Sequence, residues 1–191
     1  KDSKFGKQGF IIFVFVLPMW MNFLLRTMAW QVLLERAGVI NTVLGFFNIA
    51  PLEIINTPYA IILGMVYDFL PFMVLPIYNN LAKIDNSLIE AAYDLGASKI
   101  DVLFKILLPL SLPGIVSGVT MVFVPSLTTF VISNMLGGGK INLIGNIIEQ
   151  EFTASSNWNL GSGLSLVMMI FIIISMAFIT KFDKKGEGNI L

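Results

Sequence analysis

The fold class of this chain follows from residues 160–180, LGSGLSLVMMIFIIISMAFIT, which contain no charged side chain. A helix needs about 20 predominantly apolar residues to cross the hydrocarbon core of a bilayer. This stretch therefore predicts a transmembrane helix. Residues 10–30, 57–79 and 106–133 are also mostly apolar and predict three further spans.

The composition of the whole chain also indicates a polytopic membrane protein. Of its 191 residues, 56% are hydrophobic and 13% are charged, whereas soluble domains average about 45–50% and about 25%. The apolar runs lack the alternation of barrel strands, so the spans should be α-helices, which satisfy their backbone groups internally. We expect one transmembrane domain over residues 1–191, an all-α helix bundle in a lipid bilayer.

The residue types that are missing exclude several kinds of chemistry. The chain has no cysteine and no histidine, which excludes Ser-His and Cys-His catalysis and histidine-based zinc sites. An intramembrane protease would otherwise need paired aspartates, and Asp68 is the single acidic residue inside a predicted span. The formal net charge of zero gives no indication of a nucleic-acid partner. The sequence therefore argues against enzymatic activity and predicts no cofactor or metal in this chain.

The placement of the basic residues predicts an orientation in the membrane. Lysines cluster before the first span, between the second and third spans, and after the fourth: Lys1, Lys4, Lys7, Lys83, Lys99, Lys105, Lys181, Lys184 and Lys185. Cytoplasmic loops of membrane proteins carry an excess of Lys and Arg. Both termini and the loop 81–105 are therefore predicted to be cytoplasmic, which agrees with four spans.

The loop 81–105 is polar but has the pattern of two short helices. Ser87 and Glu90 match the S-x-x-E capping box, which predicts a helix starting at Ser87. Gly96 suits the left-handed position that ends a helix. An apolar face is predicted from the spacing of Leu88, Ala91, Ala92 and Leu95.

A second helix is predicted to start at Ser98, where Asp101 offers another capping pair, and to be perturbed at Pro109. One interpretation of the first helix is an amphipathic helix lying on the lipid surface. However, it lacks the aromatic residues and the lysine-rich polar face that are typical of such helices.

Residues 90–96 of this loop, together with two residues of the third predicted span, resemble a known family motif. Glu90-Ala91-Ala92 followed by Gly96, with Leu108-Pro109 further along, resembles the EAA motif of ABC importer permeases. The resemblance implies that the short helix is a coupling helix that sits in a cleft of a separate ATPase subunit. It implies that an ATPase dimer, not this chain, holds ATP and Mg²⁺. The residues expected to couple to it are Glu90, Ala91, Ala92, Asp94, Leu95, Gly96 and Ser98.

Further motifs, inside and outside this loop, make the resemblance more specific. LPFMVLPIY at 70–78, DLGASK at 94–99, MLGGGK at 135–140 and LIGN at 143–146 resemble the B-type permeases of spermidine/putrescine importers. That family has six spans in the type I ABC importer permease fold, and the resemblance implies that this chain carries the last four.

Several expectations about function follow from this resemblance. It implies half of a polyamine translocation path in a bacterial inner membrane, with a second, C-type permease and an extracytoplasmic polyamine-binding protein as partners. Permeases of related importers, for thiamine, sulfate or ferric ion, remain alternatives because they share the EAA pattern.

Asp68 lies near the middle of the second predicted span, where a charged residue costs about 2.5–3.5 kcal/mol. One hypothesis makes Asp68 an acceptor for a passing polycation, with the ring of neighbouring Tyr67 adding cation–π attraction. The alternative is a structural pair between Asp68 and a hydroxyl or a basic group elsewhere. Arg26, near the end of the first span, is expected to snorkel to the surface or to pair with Glu35.

Overall fold

The computed structural model describes residue 10 and residues 13–187 of the chain. Every regular element in these residues is helical, which confirms the all-α prediction. The orientation predicted from Lys1, Lys4, Lys7 and the two termini concerns residues outside this described part.

The elements follow one another along the chain with short connections. They are a 3₁₀ turn Leu17–Trp20, α1 Phe23–Leu34, α2 Val39–Phe46, α3 Pro58–Leu81, α4 Asn86–Asp94, α5 Lys99–Val102, a π-helical turn Leu103–Leu107, α6 Leu108–Thr128, α7 Val131–Leu136, α8 Ile144–Thr153 and α9 Trp158–Glu187. The turn Leu103–Leu107 joins α5 and α6 into one helix.

Three helices in the described residues are long and apolar enough to cross a membrane: Pro58–Leu81, Lys99–Thr128 and Trp158–Lys181. They fall on the second, third and fourth predicted spans. The first predicted span, residues 10–30, is not one straight helix, because Phe13–Trp20 and Phe23–Phe46 meet at an angle of 105°. The count reaches four only if this bent pair is one broken span.

The break in the first predicted span has a local cause. The side-chain oxygen of Asn22 accepts the backbone N–H of Leu24 at 2.9 Å, so Asn22 caps a new helix in the middle of an apolar run. The backbone of Met21 is extended, and its N–H donates to the carbonyl of Pro18 at 3.1 Å. The cap and the turn thus provide partners for backbone N–H groups on both sides of the break.

The third predicted span, residues 106–133, also contains a break, because α6 ends at Thr128 and α7 begins at Val131. The side chain of Asn146, which is fully buried, ties α8 to this break. Its Nδ2 donates to the carbonyl of Phe130 at 3.2 Å and to Oδ1 of Asn134 at 2.6 Å. Its Oδ1 accepts the hydroxyl of Ser133 and the N–H of Leu143. One amide thereby joins the start of α8 to the first residues after the break.

Contacts divide the described residues into two compact units. The first unit holds the residues up to Pro71 together with Val124–Met169. Its core contains the buried side chains of Leu34, Ala60, Ile61, Ile132 and Leu136. Gly64 packs against Leu136 and Ile132, where a Cβ atom would overlap the Leu136 side chain.

The second unit holds Phe72–Phe123 and the described residues from Ile170 onward. Within it, α3 and α6 approach closely at Gly114 and Gly118. A Cβ atom on Gly114 would lie 2.7 Å from Cβ of Asn80 and 3.0 Å from Cα of Ile77, and one on Gly118 would lie 3.1 Å from the carbonyl oxygen of Met73. This G-x-x-x-G spacing is typical of membrane helices whose backbones touch.

We expect Gly114→Ala to destabilise the protein, because the neighbours of the added methyl group are mostly backbone atoms that cannot move aside. Overpacking of this kind costs about 1–3 kcal/mol. Gly163→Ala in α9 is the matched control, since a Cβ atom there meets nothing within 4 Å. Thermal unfolding of the detergent-solubilised protein measures the difference. Equal melting temperatures for the two variants would contradict a close contact at Gly114.

Candidate functional site

The predicted coupling helix is α4, and it begins one residue earlier than expected. Its N-cap is Asp85, whose carboxylate accepts the N–H of Ser87 at 3.0 Å. The prediction that a Ser87 capping box begins the helix is therefore wrong. Asp is as good an N-cap residue as Ser, and its negative charge is favourable at a helix N-terminus. The hydrogen bonds from the backbone and the side chain of Ser87 hold the pKa of the Asp85 carboxyl below its ordinary value.

The C-terminal end of α4 confirms the prediction for Gly96. The φ angle of Gly96 is +83°, in the left-handed region that favours glycine. Its N–H donates to the carbonyl of Tyr93 at 2.9 Å, and the N–H of Ala97 donates to that of Ala92 at 3.0 Å. These two bonds form a Schellman motif, which turns the chain sharply out of α4.

The next helix begins at the predicted capping pair. The N–H of Asp101 donates to the hydroxyl of Ser98 at 3.2 Å, and the N–H of Ser98 donates to the Asp101 carboxylate at 3.2 Å. The same carboxylate forms an ion pair with Lys105 at 2.6 Å. Hydrogen bonds therefore hold both ends of the short connection from α4 to α5.

The perturbation expected at Pro109 takes the form of a π-helical turn just before it. Proline has no N–H to donate to the carbonyl four residues earlier, that of Lys105, and its ring crowds that carbonyl. The wider turn relieves this conflict. The N–H of Leu108 bonds instead to the carbonyl of Leu103, five residues back. The helix then continues as α6 without a kink large enough to divide it.

The surface of α4 is almost uncovered within the described part of the chain. Of the predicted apolar face, only Ala92 is buried, whereas Leu88 is 52% and Leu95 is 89% exposed. Tyr93 is 45% exposed. The other predicted coupling residues, Glu90, Ala91, Asp94, Gly96 and Ser98, are also exposed. The structure therefore brings the predicted coupling residues together on one short, largely exposed helix and its following turn.

Asp68 and Tyr67 lie elsewhere, in the first unit. The carboxylate of Asp68 on α3 is 1% exposed and forms an ion pair with Nε of Arg26 on α1. The hydroxyl of Thr27 also donates to it, at 3.2 Å. The expectation that Arg26 snorkels or pairs with Glu35 is therefore wrong. A partner 42 residues away cannot be identified from local spacing.

Arg26 links Asp68 to the break in the first predicted span and to an aromatic pair. Its Nη1 donates to the carbonyl of Pro18 at 2.7 Å. Its guanidinium carbon lies 5.9 Å from the ring centroid of Tyr67, which in turn meets Trp30 edge-on at 5.2 Å. Both Asp68 oxygens and the Tyr67 ring are thus engaged within the chain. This geometry favours the structural pair over an open acceptor for a polycation.

The second unit contains a groove that was not predicted from the sequence. It has a volume of about 500 Å³ and is lined by residues of α3 and α6 and by Lys83, including Asn79, Asn80 and Ser117. Asn80 is one of the lining residues, and its Oδ1 is buried with no hydrogen-bond partner among the residues that the structure describes. The sequence feature that could have indicated this groove is the pair of adjacent amide side chains, Asn79 and Asn80, near the end of the apolar helix α3. No cluster of three or more potential metal ligands occurs among the residues that the structure describes.

Comparisons with known proteins agree with this architecture. A family model for the inner membrane component of binding-protein-dependent transport systems matches residues 8–186. The spermidine/putrescine transport system permease protein PotB of Haemophilus influenzae is 43% identical over 86% of this chain and 59% of its own length. PotB of Escherichia coli K12 is 38% identical over 93% of this chain and 66% of its own.

A solved structure supports the same fold at low sequence identity. It is the crystal structure of a bacterial ABC transporter involved in the import of the acidic polysaccharide alginate. One of its chains superposes with a TM-score of 0.71 and 14% identity, over 94% of this chain and 66% of that one. At this identity the likeness shows the fold alone.

The chain spans 59% and 66% of the lengths of the two relatives from Haemophilus influenzae and Escherichia coli. The family model nevertheless covers nearly the whole of it. Its helices, long enough to cross a membrane, agree with a multi-pass protein. The chain therefore belongs to the family of inner membrane components of binding-protein-dependent transport systems.

Proposed function

We propose that this chain belongs to a permease subunit of an ATP-driven importer of polyamines such as spermidine and putrescine. The observation that carries the proposal is the exposed helix α4, set between two helices of membrane-spanning length. The polyamine substrate is inferred from the printed function of the two PotB relatives, at 43% and 38% identity.

In this proposal α4 docks on an ATPase dimer at the cytoplasmic face. The position of Lys83, Lys99 and Lys105 around α4 supports that orientation, which would place both termini on the same side. Glu90, Asp94 and Leu95 would contact the ATPase, while ATP and Mg²⁺ are bound by the ATPase itself. A second, C-type permease would supply the other half of the path, and an extracytoplasmic binding protein would deliver the polyamine.

The described contacts suggest how a movement of α4 would reach a membrane helix. The Schellman turn at Gly96 and the capping box at Ser98 leave little freedom between α4 and α5. The π-helical turn joins α5 to α6 without a break. Closure of the ATPase dimer would therefore displace α6 together with α4. The path would then switch between its inward-open and outward-open states, with the energy supplied by the partner.

The charge of α4 argues against the alternative of a helix lying on lipid. Its exposed face carries the carboxylates of Glu90 and Asp94, and anionic headgroups at the cytoplasmic leaflet repel such groups. A partner protein with basic residues suits this face better.

The substrate class is tested by uptake into cells or vesicles that contain the assembled transporter. We expect ATP-dependent uptake of labelled spermidine that unlabelled putrescine inhibits and that thiamine, sulfate and ferric ion leave unchanged. Transport of one of these three solutes without polyamine uptake would reject the polyamine assignment and leave the family assignment intact.

The coupling role of α4 is tested at Gly96. We expect Gly96→Ala and Glu90→Ala to lower polyamine uptake about tenfold, a loss that corresponds to about 1.4 kcal/mol, while the transporter continues to hydrolyse ATP. Gly139→Ala is the matched control, because Gly139 also has a positive φ, +68°, and also has open space around it. Equal effects of the Gly96 and Gly139 variants on uptake and hydrolysis would indicate backbone strain rather than lost coupling.

The role of Asp68 is tested through its partner. Breaking a buried ion pair by removing one member costs about 3–5 kcal/mol. We expect Asp68→Asn and Arg26→Gln each to reduce the amount of folded protein in membranes. The double variant Arg26→Leu with Asp68→Leu should recover most of it. Arg36→Gln is the control, since the Arg36–Glu53 pair is exposed and contributes little.

An opposite pattern would assign Asp68 and Tyr67 to the substrate path. In that case Asp68→Asn would leave the protein level and melting temperature unchanged while polyamine uptake or selectivity falls. Arg26→Gln would then increase the attraction for the polycation, because it frees the carboxylate.

A further inference from the structure

Residues 36–53, which connect α1 to α3 and contain α2, leave most of their apolar side chains uncovered. Phe46 is 84% and Phe47 is 72% exposed. Three further apolar side chains of this segment are also exposed: Val39, Val43 and Ile49. No residue from 37 to 52 is charged. Large exposed apolar patches mark surfaces that contact a membrane or another molecule. We call this segment the 36–53 lobe.

The polar groups of the 36–53 lobe find partners within it. Asn41 is buried, and its Nδ2 donates to the carbonyls of Glu35 at 3.2 Å and Leu52 at 3.0 Å. Its Oδ1 accepts the N–H of Leu52 at 2.7 Å. The hydroxyl of Thr42 donates to the carbonyl of Gly38 at 3.0 Å. Polar groups that are satisfied internally are what contact with hydrocarbon requires.

The connection to α3 fixes the level of the lobe in the bilayer. Residues 54–57 turn tightly, since the N–H of Thr57 donates to the carbonyl of Ile54 at 3.2 Å, and α3 begins at Pro58. Its 24 residues make α3 about 36 Å long, whereas the hydrocarbon core is about 30 Å thick. Tyr59 is exposed at this end, and tyrosine is enriched where membrane meets water. The lobe therefore adjoins the membrane–water interface.

We infer that the 36–53 lobe is an interfacial anchor that inserts into the lipid leaflet at the N-terminal end of α3. The rings of Phe46 and Phe47 lie among the upper acyl chains. Interfacial segments of this kind bury their apolar face about 5–10 Å into the boundary between headgroups and acyl chains. The exposed pair of Arg36 and Glu53, 3.6 Å apart at the two ends of the lobe, stays among the headgroups. The inference does not depend on which solute the transporter carries.

Lipid suits this surface better than an intermittent protein partner. A soluble protein that docks only during transport would leave both phenylalanine rings in water between transport cycles. The exposed face of α4 differs, because Glu90 and Asp94 place charges on it that a partner protein can recognise. Residues 37–52 offer no such charge. Lipid covers the lobe at all times and requires no charged contact.

The first test uses the fact that the chain has no cysteine. Phe47→Cys is labelled with the fluorophore NBD in a complete transporter without other cysteines, held in nanodiscs without the binding protein. We expect a phospholipid spin-labelled near its headgroup to quench the label severalfold more than one spin-labelled deep in its acyl chain, and aqueous iodide to quench little. Lys140→Cys, exposed in a glycine-rich turn of the first unit, is the control that iodide should quench severalfold more than either lipid.

The second test removes the two rings. Phe46→Ser combined with Phe47→Ser should make a label at Val43→Cys severalfold more accessible to iodide and less accessible to the shallow spin label. Gly45→Ser is the matched control, because it adds the same side chain to α2 where a Cβ atom meets nothing within 4 Å. Its label should respond as in the unaltered lobe. Unchanged quenching in the double variant, with all subunits still copurifying, would contradict anchoring by the rings.

Two other results would overturn the inference. Strong iodide quenching of the Phe47→Cys label without lipid quenching would place the lobe in water. If the purified binding protein then removed the iodide quenching, the lobe would be a protein docking surface. Quenching by neither reagent would show that another helix of the transporter covers the lobe. Each result leaves the proposed function intact, because polyamine uptake is measured separately.

Discussion

A membrane offers no hydrogen-bond partners, so each interrupted helix and each buried polar side chain must be satisfied within the protein. The described structure follows this constraint closely. Asn22 caps the helix after the break in the first predicted span, Asn146 accepts and donates hydrogen bonds at the start of α7, and Arg26 neutralises Asp68. Oδ1 of Asn80 is the exception.

The second unit combines a rigid connection with an uncovered surface. The hydrogen-bonded turn at Gly96, the capping pair at Ser98 and the π-helical turn join α4 to α6 with little freedom. The side chains of Leu88 on α4 and of Leu95 just after it nevertheless remain largely exposed. A helix that is held firmly at its end but open at its surface is suited to receive force from a partner and to pass it on.

Local signals in the sequence predicted local structure well. Gly96 and the Ser98–Asp101 pair act over three or four residues, so their hydrogen bonds follow from spacing alone. The start of α4 was misplaced because Asp85 competes with Ser87 as a cap, and both are acceptable by type. The breaks near Asn22 and Phe130 were missed because hydropathy averages over many residues, and a single polar side chain hardly changes that average.

The sequence by itself determined that this chain is a helical membrane protein and that its polar loop forms two capped helices. The physical reason is that hydropathy and capping depend on neighbouring residues. Only the tertiary structure decided the partner of Asp68, the contact of Gly114 with α3, and the isolation of the Asn80 oxygen. These depend on which helices pack together. Residues 42 positions apart become neighbours through that packing, which no local pattern encodes.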